Sequence, residues 1–174
     1  MNPPPAPAPT RPPRARVLVF GCGNLLLSDE GFGVHFIRHL EAHYRWPDDV
    51  RLFDAGTLGI LAAHELEQAD GVLIVDVVAA EGPPGRVLRY SRSELRQQRL
   101  PVKLSPHQIG LQELLWVCEL RGQCPADLSL WGVVPASFAP GDRLSPELDA
   151  LLPRLAAELV DELCRRGHPI HSAS

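Results

Sequence analysis

Three side chains have types that can share one metal ion: the acids Glu30 and Asp76 and the imidazole of His107. Two carboxylates and a ring nitrogen make a mixed oxygen and nitrogen donor set that suits zinc, nickel or manganese. Three protein ligands leave coordination positions open, so such a site can polarise a carbonyl or activate water, which a closed structural site cannot. Asp76 stands inside the apolar run GVLIVDVV, where an ionised carboxylate is costly unless a cation or hydrogen-bond donors compensate it. His107 lies in SPHQIG, where Ser105 is a natural N-cap, Pro106 fits the first helical position and Gln108 completes a capping box. The positive end of that helix disfavours imidazolium and leaves a neutral ring ready to coordinate. Asp54, in DAGT, is a further acid at the end of an apolar run.

Rival chemistries are less well supported. His35, His39 and His43 recur every four residues, but with Phe36, Ile37, Leu40 and Tyr44 as the core face His35 turns toward solvent, and the three read as a solvated face. Cys22 has no adjoining histidine to activate it, and small-residue packing is its simpler use. Asp29, beside Glu30, reads as a helix cap.

Five β-rich runs, RVLVF, VRLF, GVLIVDVV, RVLRY and LSLWGVV, alternate with helical patterns, the signature of an α/β sheet. Helices are predicted over about Glu30 to Tyr44, Leu58 to Gln68, Pro106 to Arg121 and Pro146 to Arg166. GVLIVDVV is apolar throughout, as a central strand covered on both faces must be. In the last helix Leu148, Leu151, Leu152, Leu155, Leu159 and Leu163 form a packing stripe, with Ser145 as the cap and Pro153 as a potential kink. Functional groups of an open α/β sheet collect at the carboxyl ends of its strands. Glu30 follows the first strand, Asp76 ends GVLIVD and His107 opens a later helix, so all three are expected to meet at one edge.

The glycine turn after the first strand is a poor nucleotide site. Gly21 and Gly23 are present but Leu26 occupies the third glycine position, and Asp54 comes about thirty residues on, where a dinucleotide fingerprint expects about twenty. Asp29 and Glu30 stand where a phosphate would sit and would repel it.

With 174 residues, 45% hydrophobic and 22% charged, the chain is sized and composed for one globular domain. A net charge of −4 without a basic block argues against nucleic acid, and no apolar run is long enough for a membrane span. Cys22, Cys118, Cys124 and Cys164 include no CxxC pair, and no secretory signal is seen, which points to reduced thiols in the cytoplasm. Residues 1–15 read as a disordered proline-rich arm, 16–167 as the single domain and 168–174 as a loose tail.

GCGNLLLSDEGFGV resembles the GxGNxLxxDxGxG opening of the hydrogenase maturation endopeptidases, and DAGT and SPHQIG resemble two further motifs of that family. The resemblance runs from about Arg16 to about Arg166. It implies a three-layer fold with a twisted, mainly parallel five-stranded sheet between helices. It also implies an endopeptidase that removes the C-terminal extension from the large-subunit precursor of a nickel-iron hydrogenase after nickel insertion. By the same resemblance Glu30, Asp76 and His107 contact nickel brought by the precursor, Asp54 joins them at the cleft, and Gly21, Gly23 and Asn24 let the backbone approach a partner. Ala55 stands where a second glycine is common in the family. The rival reading is a non-catalytic nickel-binding maturation chaperone.

Overall fold

The computed structural model describes residues 15–97 and 106–173, with the side chains of Ala15 and of residues 106–109 outside that description. The arm expected over 1–15 lies almost wholly outside it, as do the capping roles expected of Ser105 and Gln108.

All five apolar runs are strands of one sheet: β1 (Ala15–Cys22), β3 (Val50–Gly56), β4 (Ala69–Val77), β5 (Val87–Ser91) and β6 (Asp127–Val133). Their order is β3-β1-β4-β6-β5, parallel throughout except that β5 runs antiparallel to β6. β4 is central and buried almost end to end, as its unbroken apolar character requires.

Alternation along the strands divides the interior into two layers. Val17 and Val19 of β1 and Leu73, Val75 and Val77 of β4 pack on one face against α1 (Phe32–His43) and α5 (Pro146–Arg165). Leu18 and Phe20, with Val72 and Ile74, pack on the other against α2 (Ala63–Glu67) and α4 (Pro106–Leu120). Helices thus cover both faces in three layers. All six leucines of the predicted α5 stripe are buried, and the helix continues through Pro153, which lies on its exposed side.

Four expectations are corrected. The first helix begins at Phe32, after a separate 3-10 turn over Ser28–Gly31. The second is a 3-10 turn, Gly59–Ala62, followed by the short α2. Ser145 is the N-cap residue of α5 but its hydroxyl makes no capping bond. The supposed loose tail is tied down: β7 (His171–Ser172) pairs with β2 (Tyr44–Arg45), Ile170 is buried, and His168 Nδ1 lies 3.0 Å from Asp49 Oδ2. A helix that sequence periodicity passed over, α3 (Arg92–Arg96), is opened by a capping box between Ser91 and Glu94.

Candidate functional site

β1 runs directly into the turn that carries Glu30. Gly23, at φ +143°, reverses the chain so tightly that a Cβ there would stand 2.0 Å from the Glu30 carbonyl oxygen, a contact only glycine avoids. A Cβ on Gly21 would likewise lie 2.2 Å from the Gly33 carbonyl oxygen. The glycines expected to admit a partner therefore serve the chain's own packing: they let the Glu30 turn and α1 lie against the sheet.

Asp29 and Glu30 are both buried. Asp29 caps neither its own turn nor α1. Its Oδ2 accepts hydrogen bonds from the Ala136 and Ser137 amides at 2.8 and 3.0 Å, and its Oδ1 accepts one from the Ser145 amide at 2.7 Å. The cap reading is thus corrected: the carboxylate sits at the N-terminus of a distant helix, α5, and secures the loop leading into it.

Asp76 follows Val72 and Ile74 on β4 and so faces the α4 side of the sheet, as does Cys22 after Leu18 and Phe20 on β1. One carboxylate oxygen of Asp76 accepts the Val77 amide at 2.8 Å. The other is enclosed with no hydrogen-bond partner among the described residues. Burial pushes the Asp76 carboxyl up to about 7, the Val77 amide works against that rise, and the Glu30 charge adds to it. The two acids are therefore electrostatic neighbours. Burial, then Asp76, then Asp54 hold the Cys22 thiol well above its ordinary range, the reverse of what a nucleophilic cysteine needs.

α4 begins over the same edge. Gly59, at φ +51° after β3, approaches Gly110 so closely that a Cβ on it would lie 3.6 Å from the Gly110 Cα. A cleft of about 70 Å³ is lined by Cys22, Gly56, Gly59, Gly110, Leu111 and other residues of β1, β3 and α4. His107 is the second residue of α4, one turn before Gly110; its side chain lies outside the described residues. Among the described residues no three His, Cys, Asp or Glu side chains form a group able to hold a metal. His39 stacks on His43 at 4.1 Å between ring centroids, while His35, expected toward solvent, has its Nε2 enclosed.

Asp54 lies near the carboxyl end of β3 and acts with Asp76 on the Cys22 thiol. It pairs with Gly21 in the sheet, its Oδ1 accepts the Gly56 amide at 3.0 Å, and its Oδ2 lies 3.9 Å from Arg38 of α1. Strand alternation thus sends it to the α1 side, opposite Asp76.

Chemically, the edge offers two enclosed carboxylates, the Glu30 charge acting on Asp76 and one Asp76 oxygen without a hydrogen-bond partner among the described residues. That arrangement favours a proton or a cation between the acids.

The sequence model of the hydrogenase maturation proteases matches residues 34–162. The chain belongs to this family. A hydrogenase 2 maturation protease of Escherichia coli is 34% identical over 157 residues, covering 87% of this chain and 93% of that protein. The solved hydrogenase maturating endopeptidase HybD of the same organism superposes with a TM-score of 0.82 at 32% identity, covering 90% of this chain and 97% of that one. A hydrogenase 2 maturation peptidase from a Thaumarchaeota archaeon superposes at 0.64, also at 32% identity, over 85% of this chain and 97% of that one. The three-layer α/β architecture is thus the family's own. No helix among the described residues is long and apolar enough to cross a membrane.

Proposed function

We propose that this chain is an endopeptidase that removes the C-terminal extension of a nickel-iron hydrogenase large-subunit precursor after nickel insertion. In this reading Glu30, Asp76 and His107 contact the nickel that the precursor carries, so the metal is part of the substrate. The reading rests on one observation above others: Glu30 and Asp76 are buried together, with an Asp76 oxygen left unpartnered. A loaded precursor supplies the missing positive charge; an empty one leaves two like charges facing each other. Metal occupancy thus becomes the condition for productive docking.

Cleavage is hydrolysis: water adds to the scissile carbonyl, the C–N bond breaks, and the leaving amine takes up a proton. One of the two carboxylates serves as the general base that accepts the proton of the attacking water. The peptide needs an apolar landing surface. Of the seven large apolar side chains exposed among the described residues, Leu26, Leu58, Ile60, Leu61 and Phe138 lie on the connections leaving the carboxyl ends of β1, β3 and β6. That concentration supports peptide binding at the edge that carries Glu30 and Asp76.

Incubation with nickel-loaded and nickel-free precursor, read by mass spectrometry, tests the proposal. Only the loaded form is expected to lose its extension, and Glu30→Gln and His107→Ala are each expected to suppress the loss. Equal processing of both forms would refute nickel recognition. Tight nickel binding with an uncut precursor would favour a chaperone.

A further inference from the structure

We infer that Asp29 is a positioning residue for Glu30, acting by locking the loop between β6 and α5 onto the turn that carries both acids. The inference rests on the reading of Glu30 as a nickel contact. Asp29 is completely buried and both of its oxygens are used, on the amides of Ala136, Ser137 and Ser145, more than a hundred residues away in sequence. Bonds from a carboxylate to backbone amides are stronger than neutral ones, and here they close on a single short turn.

The same contact is stitched on either side. The Ser28 amide donates to the Gly141 carbonyl at 2.8 Å, the Gly141 amide donates to the Leu26 carbonyl at 3.0 Å, and the Ser28 hydroxyl donates to the Ala139 carbonyl at 2.8 Å. Ser28 is held at φ 50°, a left-handed conformation that a serine keeps only when its surroundings impose it. A solvated cap would need none of this.

Consecutive residues of a 3-10 turn project about 120° apart. Asp29 therefore engages the loop while Glu30 presents its charge to Asp76. One rigid turn carries both, so releasing Asp29 lets Glu30 swing. The burial of two adjacent acids then has a division of labour: one fixes the backbone and the other faces the metal.

A double-mutant cycle on the full chain tests this, with nickel(II) affinity read by calorimetry for the parent, Asp29→Asn, Glu30→Gln and the double variant. Asp29→Asn is expected to weaken nickel binding roughly tenfold in the parent and to have no further effect in the Glu30→Gln background. Its Ala136, Ser137 and Ser145 amides are expected to exchange with deuterium at least as much faster. Equal loss in both backgrounds, or unchanged affinity and exchange, would overturn the inference, because a general structural role weakens both backgrounds alike. If the parent chain alone has no nickel affinity, the same cycle is read as processing of nickel-loaded precursor, with the same dependence expected; a Glu30→Gln variant that binds or processes as well as the parent would instead refute the nickel reading and remove the basis of this one. If Asp29→Asn fails to fold, Ser28→Ala takes its place; it removes one stitch without stranding a buried charge, and a roughly threefold, equally Glu30-dependent loss is expected.

Discussion

Gly33 rests against β4 so closely that a Cβ on it would stand 2.3 Å from the Val75 carbonyl oxygen and 2.2 Å from that of Cys22. The helix start behind Glu30 is thereby seated on the two strands that end in Cys22 and Val77. Gly33→Ala forces backbone against backbone, with no flexible side chain to yield. A loss of roughly 2–3 kcal/mol is expected from such overpacking, read as a lower denaturation midpoint at unchanged slope. Processing should fall as well, since the displaced helix carries the Glu30 turn with it.

Ionising Asp76 costs the folded chain stability. Its carboxyl is raised from an ordinary 3.8 to about 7, so between those values the unfolded chain is ionised there and the folded chain is not. Stability from this residue is fully present at low pH and is lost as pH rises through about 7. The loss amounts to something on the order of 4 kcal/mol for a shift from 3.8 to about 7. Asp76→Asn keeps an acceptor for the Val77 amide and has nothing to ionise. It is expected to melt at higher temperature than the parent at pH 8, with a difference that shrinks toward pH 4, while losing precursor processing. A lower melting temperature at pH 8 would contradict this.

The strands were legible because each is an apolar run with its own period, and α5 because six leucines mark one face. The burial of Glu30 and Asp76 beyond the ends of β1 and on β4 was legible from their places at strand ends. The partners of Asp29 were not legible: its three amides are 107 to 116 residues away, and a backbone donor leaves no mark on the residue type that provides it. Gly33 could have been noticed, since a glycine inside a helical pattern weakens it and usually has a packing reason. The Ser91 and Glu94 pair also announced α3, but five residues are too few to show a period. The tail escaped because β2 and β7 are two residues each, and their pairing depends on chain ends meeting in space.

Removal of residues 168–174 tests that docking. It exposes the surface covered by Ile170, breaks the His168 and Asp49 contact, and removes the Ala173 amide from the His43 carbonyl. Burying one isoleucine contributes about 2 kcal/mol, so the truncated chain should lose at least that in chemical denaturation. The Glu30 turn lies in a different part of the sheet, so processing well below the melting temperature should persist.

Leu61 is 79% exposed on the turn after β3, with Leu58 and Ile60 beside it and Gly59 lining the cleft. So much uncovered leucine on a four-residue turn gains nothing for the folded chain alone, whereas a docked peptide would bury it. Leu61→Ser should therefore leave stability within about 0.5 kcal/mol of the parent, as exposed substitutions do. Losing a buried leucine from the complex costs on the order of 1 kcal/mol, or about fivefold in KM for the precursor. The kcat should hold, because contacts of Leu61 with a docked peptide would be equal in the ground and transition states. Leu120, 67% exposed at the far end of α4, is the matched control: Leu120→Ser should change neither constant. Equal effects of the two substitutions would show that general surface hydrophobicity, and not the strand-end edge, governs capture of the precursor.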